Sequence, residues 1–303
     1  MKHVPVLLNE TIDLLNLKPG ANVVDCTLGD AGHGEACLEK ISPNGKLLGL
    51  DADPESVLRA KQYLYRFEER VKFVRDNFVN LKKIVMETGF GPVNAILLDL
   101  GWSTPQFQER GRGFSFETDE PLDMRYGGGQ ANDESQTAAQ IINDYSENEL
   151  VKIFKQYGEE KFAVPIAEAV VNTRKESRIE KTKQLTEIIL NVYREKLHSN
   201  KEIPWIGGIH PATKIFQALR IETNKELEVL KKVLPDAIEV LASGGRLAVI
   251  TFHSLEDRIV KHLFRKNISK VKIITKKPIV AGVEELKINP RARSAKLRVV
   301  EKI

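Results

Sequence analysis

Four short apolar runs in the first hundred residues constrain this chain more than any other feature. "NVVDCTLG" (22–29), "KLLGLDAD" (46–53), "VKFV" (71–74) and "NAILLDLG" (94–101) have the length and the Val, Ile and Leu content of buried strands. Between them, "GEACLEKI", "PESVLRAKQYLYRF" and "NLKKIVMETG" carry helical spacing. Strands that alternate with helices need crossover connections, and these give a parallel sheet covered on its faces. In such a sheet ligands bind beyond the carboxyl ends of the strands. An α/β fold is expected, with its site where these four runs end.

Each run ends on residues that suit a ligand. After the first, Gly29, Gly32 and Gly34 permit a tight turn beside a helix N-terminus. Their spacing is G-x-x-G-x-G, not the G-x-G-x-x-G of dinucleotide binders. Asp51, 17 residues beyond Gly34, stands where an acid accepts from the two hydroxyls of a ribose. Asp53, just before Pro54, is better suited to capping the next helix. Phe78, after the third run, either offers its face to a nucleobase or packs at the rim. Asp99 closes the fourth run; burying such a carboxylate is costly without a partner, and a ligand amino group would be one. Glycines, a diol acceptor, an aromatic ring and a carboxylate together outline adenosine with an amino-acid tail. S-adenosylmethionine fits that outline.

Helical period does not follow the fourth run. "GWSTPQFQERGRGFSF" opens a polar, glycine-rich segment that continues to about Gly129. Irregular backbone on a rigid scaffold is where binding loops sit. From about 135 to 200 the pattern is helical: Phe162, Ile166 and Val170 share one face, as do Leu185, Ile188, Ile189 and Val192. Strand patterning resumes at 244–254, after a helix around 223–242, and two alternating stretches at 270–277 and 295–303 suit a terminal hairpin. The domains expected are a discontinuous core, 1–110 and 211–303, and an inserted helical substrate-recognition domain, 111–210.

Composition narrows the setting. No apolar run reaches the roughly 20 residues of a membrane helix, and "VPVLL" is too short for a signal peptide, so a cytoplasmic protein is expected. Cys26 and Cys37 have no metal-binding spacing and read as buried reduced thiols; no metal is expected. The net charge of +4 is uneven, since residues 258–303 hold 14 Lys and Arg against 3 Glu. Such a run is either a solvated basic face or a surface for a polyanion such as RNA.

Longer motifs then carry a resemblance over nearly the whole chain. They are "HVPVLLNE" (3–10), "DCTLGDAGH" (25–33), "LLDLGWSTPQF" (97–107), "RGFSF" (112–116), "PLDMR" (121–125), "YGEEKFA" (157–163), "HPATKIFQALRIETN" (210–224), "GGRLAVITFHSLEDRIVK" (244–261) and "NPRARSAKLRV" (289–299). In these the chain resembles the RsmH (MraW) methyltransferases, which methylate the exocyclic N4 of a cytidine in the decoding centre of 16S rRNA, in the small ribosomal subunit. The resemblance implies a class I (Rossmann-like) S-adenosylmethionine-dependent methyltransferase sheet with an inserted all-helical domain. It places cofactor contacts on Ala31, Gly32, His33, Asp51, Phe78, Asp99 and Gln106. The family usually has Gly at the position of Ala31, whose methyl group is tolerable only at negative φ; Trp102 and Thr104 replace the usual Val and Ser.

For the chemistry, Asp99 and Ser103, with Thr104 and carbonyls before Pro105, are the candidates to accept the N–H bonds of the target amine. Asp123, Arg125 and His253 are expected on the substrate side, Asp123 either reading the cytosine edge or pairing with Arg125. Arg110, Arg112 and Arg125 suit phosphates, while Phe107, Phe114 and Phe116 stack or pack, at least one of them in the core. His210 fixes the return from the insertion. "TFHSLED" lacks the G-x-S-x-G elbow of a hydrolase. A homodimer stays open. The competing readings are a nicotinamide-dependent dehydrogenase on a similar sheet and a non-catalytic RNA-binding or ribosome-assembly factor.

Overall fold

In the computed structural model, which describes residues 5–101, 111–127, 135–198 and 209–303, the four apolar runs are strands β1 (Asn22–Asp25), β2 (Lys46–Asp51), β3 (Val71–Arg75) and β4 (Val93–Asp99). Helices α1 (Leu8–Leu15), α2 (Gly32–Lys40), α3 (Pro54–Tyr63) and α4 (Leu81–Thr88) lie before and between them. There follow α5 (Ala138–Asp144), α6 (Glu147–Gln156), α7 (Ala163–Glu176), α8 (Thr182–Lys196), α9 (Ala212–Asn224) and α10 (Glu226–Val240). The chain then runs through β5 (Leu241–Thr251), α11 (Ser254–Lys266), β6 (Val271–Ile273), α12 (Val283–Ile288) and β7 (Lys296–Lys302).

The seven strands form one sheet in the order β3-β2-β1-β4-β5-β7-β6. Strands β1 to β5 pair in parallel, and β7 runs antiparallel to both neighbours. The expected terminal hairpin is thus present as a strand pair, although α12 and a short 3-10 turn (Pro290–Ser294) separate its strands. Alternation along each strand sorts side chains into two cores. Val23, Leu47, Ala95, Leu97, Ala248 and Val299 face a cluster that includes residues of α1, α2 and α3. Val24, Leu48, Ile96, Leu98, Val249 and Val300 face one that includes residues of α4, α10 and α11. Each fully buried Leu, Ile or Val contributes about 1.5–3 kcal/mol relative to exposure. Cys26 and Cys37 are free, buried thiols in these layers.

Two compact units divide the chain: Met1–Trp102 with Leu227–Ile303, and Ser103–Glu226. The first holds the sheet. The second contains α5 to α9, with no strand of its own among the described residues beyond an isolated bridge, Pro121 with Lys181. Capping boxes start α5 at Thr137 and Gln140 and α6 at Ser146 and Glu149. Helix α9 packs against α5, α6 and α8, so the chain returns to the sheet-bearing unit at Leu227 rather than at 211. Among the described residues, no helix is long and apolar enough to cross a membrane.

Candidate active site

Strand β1 ends at Asp25, short of the expected 29, because the chain enters its turn there. Gly29 has φ +52°, and its N–H donates to Asp51 Oδ2 at 2.9 Å. The N–H of Asp53 donates to the other carboxylate oxygen of Asp51, Oδ1, also at 2.9 Å. Asp51 is thereby fixed at the end of β2 by donors from two loops. Asp53 caps α3, accepting from the N–H groups of Glu55 and Ser56 and from the Ser56 hydroxyl.

Ala31 has φ +64° and ψ +22° and is wholly buried. The expectation of a negative φ is therefore overturned. A left-handed conformation costs a residue with a Cβ about 1–2 kcal/mol. Hydrogen bonds hold it: Ala31 N–H donates to Leu28 O at 2.7 Å, and Glu35 N–H to Ala31 O at 2.8 Å. Next along, a Cβ on Gly32 would lie 2.4 Å from Pro5 Cγ, so only glycine fits beneath the segment leading into α1. That segment places Val6 O 3.1 Å from His33 Nε2, and Leu7 N–H donates to Glu285 Oε1 at 2.7 Å.

At the end of β4, the Asp99 N–H donates to Thr27 Oγ1 at 2.7 Å, and Asp99 Oδ1 accepts from Gly101 N–H at 3.0 Å. His33 Nδ1 stands 3.6 Å from Asp99 Oδ2. Burial pushes the Asp99 carboxyl up to about 7; the charges of Asp25 and Glu256 add to this, and the Gly101 N–H opposes it. Asp25 is only 1 % exposed. Burial lifts it as well, to about 7, with Asp51 adding and the backbone and hydroxyl of Thr27 opposing. No Lys or Arg pairs with Asp25 or Asp99 among the described residues. Phe78 follows β3 in a 3-10 turn (Phe78–Asn80), half-buried against the second core cluster.

This donor set fits the expected cofactor. Asp99, whose side chain is 16 % exposed, has one N–H donor and no Lys or Arg; the His33 imidazole beside it is positive only when protonated, and an α-ammonium group supplies a permanent positive partner. A backbone-oriented carboxylate, Asp51, at the end of β2, one strand beyond β1, suits a diol. Ala31, Gly32, His33, Asp51, Phe78 and Asp99 all stand at the carboxyl ends of β1 to β4. Ser103, Thr104, Gln106, Phe107 and Arg110 lie outside the described residues.

Other candidates have internal partners. In the second unit, Arg125 donates to Asp123 through Nε at 2.7 Å and Nη2 at 2.8 Å. Burial raises the Asp123 carboxyl, yet hydrogen bonds and charge from Arg125, helped by Arg112, leave it below its ordinary value. Arg112 donates to the carbonyls of Arg125 and Tyr126. Phe114 is the core member of its group, 5 % exposed and stacked on Tyr126. Phe116 stacks on His210, whose Nδ1 accepts from Ala212 N–H at the start of α9. In the first unit His253 caps α11: its Nδ1 accepts from Glu256 N–H, and its Nε2 lies 3.0 Å from Glu256 Oε1. Arg298 of the basic tail is buried in a bidentate pair with Asp257, at 2.6 and 3.1 Å.

Sequence reasoning left two residues unassigned, Asp25 and Thr27. Asp25 closes an apolar run as Asp99 does, and that parallel was the available signal. Thr27 carries no such signal, since only the pairing of β1 with β4 brings its hydroxyl under the Asp99 amide.

A parallel sheet with an antiparallel β7, and acids at adjacent strand ends, is the architecture of the class I methyltransferases. The chain belongs to the MraW methylase family, whose model matches residues 1–303. It is similar to the ribosomal RNA small subunit methyltransferase H of Clostridioides difficile (strain 630), 44% identical with 99% of each chain covered. It is similar also to the proteins of that name from Clostridium botulinum (strain Loch Maree / Type A3), 44% identical over 100% of this chain and 99% of the relative, and from Heliobacterium mobile, 43% identical over 99% of each. The protein is an S-adenosylmethionine-dependent methyltransferase.

Proposed function

We propose that the chain methylates the N4 amino group of a cytidine in the decoding centre of 16S rRNA, within the small ribosomal subunit. The observation that carries the cofactor half is the pairing of Asp51, held by two backbone donors, with Asp99, partly buried and with no Lys or Arg partner among the described residues. The relatives' shared name supports the rRNA half. When bound, S-adenosylmethionine supplies an electrophilic methyl group. Asp51 would accept from its ribose hydroxyls, Asp99 from its ammonium group, and Phe78 would cover its base, with Ala31, Gly32 and His33 forming the turn beneath and Gln106 a further contact.

The cytosine amine is a weak nucleophile because its lone pair is delocalised into the ring. Asp99 and Ser103 accept its N–H bonds in this reading and orient that lone pair; positioning supplies much of the rate. The bidentate Arg125 pair keeps Asp123 ionised and acceptor-only, so Asp123 shapes its loop and offers an edge acceptor; Arg125 and His253 are each read as a substrate contact. Exposed Lys272, Lys276, Lys277, Arg291 and Arg293 suit rRNA phosphates, and affinity for the subunit should fall steeply as salt rises. Cytoplasmic residence follows from this substrate. The test is to incubate the protein with labelled cofactor and undermethylated small subunits, then map the modified nucleotide. Label at N4 of a decoding-centre cytidine is expected; label elsewhere, or none with cofactor bound, overturns the assignment. A non-catalytic assembly factor would bind subunits and transfer nothing.

A further inference from the structure

His33 stands between two acceptors. Its Nε2 lies 3.1 Å from Val6 O, and a carbonyl oxygen only accepts, so Nε2 carries the hydrogen. The opposite nitrogen, Nδ1, faces Asp99 Oδ2 at 3.6 Å. With His33 neutral and Asp99 ionised, a nitrogen lone pair would confront a carboxylate oxygen where His33 is only 6 % exposed. A proton on either group removes that repulsion.

The surroundings retain such a proton. Asp99 takes one N–H, from Gly101, while Asp25 and Glu256 add negative charge. Val6 is held in place by its neighbour's bond to Glu285 and by Pro5 lying on Gly32, so the ring is anchored on its far side. Among the described residues, the titratable groups of this corner include His33, Asp25, Asp51, Asp99, Glu256 and, behind the segment, Glu285.

We propose that His33 and Asp99 share one proton in the cofactor-free protein, that binding of the cationic cofactor expels it, and that His33 is the positioning residue that sets this exchange. The step balances. The imidazolium loses its Nδ1 proton to solvent and becomes neutral, and the ammonium group of the ligand takes its place as the positive partner of the Asp99 carboxylate. The inference rests on Asp99 receiving that ammonium group.

Calorimetry of S-adenosylmethionine and S-adenosylhomocysteine binding, in buffers of different ionisation enthalpy between pH 6 and 8.5, reads the exchange directly. Both ligands carry the ammonium group, so both should release about one proton near pH 6 and far less at pH 8.5. The Kd should tighten on the order of tenfold across that range. In His33→Gln, whose amide can still donate to Val6 O, release should fall by more than half and the Kd should vary less than about threefold with pH. Enthalpies independent of buffer in the wild-type protein, with binding still lost in Asp99→Asn, would overturn the shared proton and leave the cofactor site standing. Undiminished release in His33→Gln would move the proton to Asp25 and overturn the role of His33. Unchanged affinity in Asp99→Asn would instead show the cofactor lodged elsewhere. If His33→Gln does not fold, the wild-type buffer series decides alone.

Discussion

Asp99 at the end of β4 and Asp123 in the second unit are both carboxylates on the edge of irregular backbone, yet their surroundings treat them oppositely. Asp123 is gripped by Arg125 through two hydrogen bonds and held below its ordinary value. Asp99 has one backbone donor and two acidic neighbours, and burial lifts it to about 7. An acid satisfied from within its own loop fixes that loop. A partly buried acid whose nearest side-chain partner is an imidazole 3.6 Å away, positive only when protonated, costs stability until a permanent cation arrives, and so marks where one binds.

The sharpest way to break this contrast is to remove each acid in turn. Asp99→Ala should weaken S-adenosylmethionine binding about 100-fold or more in calorimetry, because a desolvated charge pair is worth about 2–5 kcal/mol. Retention of near-native affinity would dissolve the distinction. Asp25→Asn probes the cost of the unpaired acids through pH. The folded Asp25 carboxyl, raised to about 7 from 3.8, binds its proton more tightly than the unfolded chain does. Its contribution to stability is therefore present below about pH 4 and lost as pH rises through 7. The variant should lack that loss and exceed the wild type by up to about 4 kcal/mol at pH 8, with little gain at pH 4, in urea titrations. Asp123→Ala should cost about 1 kcal/mol of stability, as a half-exposed ion pair does, and leave the cofactor Kd unchanged. A loss of cofactor affinity there would erase the contrast from the other side. Smallest is Ala31→Gly, which should raise stability by about 0.5–1 kcal/mol by relieving the left-handed backbone.

Much of this was legible in the sequence, and the remainder has physical reasons. Buried strands announce themselves as unbroken apolar runs, so β1, β2, β4 and β5 fall where the runs lie. The runs overestimate strand length at Asp25, Asp51 and Asp99, because the turn residues that follow them are also small or apolar. Asp51 and Asp99 were readable as polar residues closing apolar stretches. The left-handed Ala31 was not, since its conformation is imposed by bonds to Leu28 and Glu35 rather than by its own preference. Residues 212–224 entered the sequence reading only as part of a motif, so helix α9 and its membership of the helical unit needed coordinates. Arg298 looked like part of an RNA-facing tail because charge alone does not reveal a buried partner such as Asp257.

The placement of β7 bears on how the protein is made. Residues 296–302 are the last strand in chain order, yet they lie inside the sheet, between β5 and β6. During vectorial synthesis β5 must wait with a naked margin of N–H and C=O groups until those residues emerge from the tunnel. A growing chain that stalls before Lys296 would present that sticky border to other nascent polypeptides, and trimming this strand should yield aggregates rather than a smaller working enzyme.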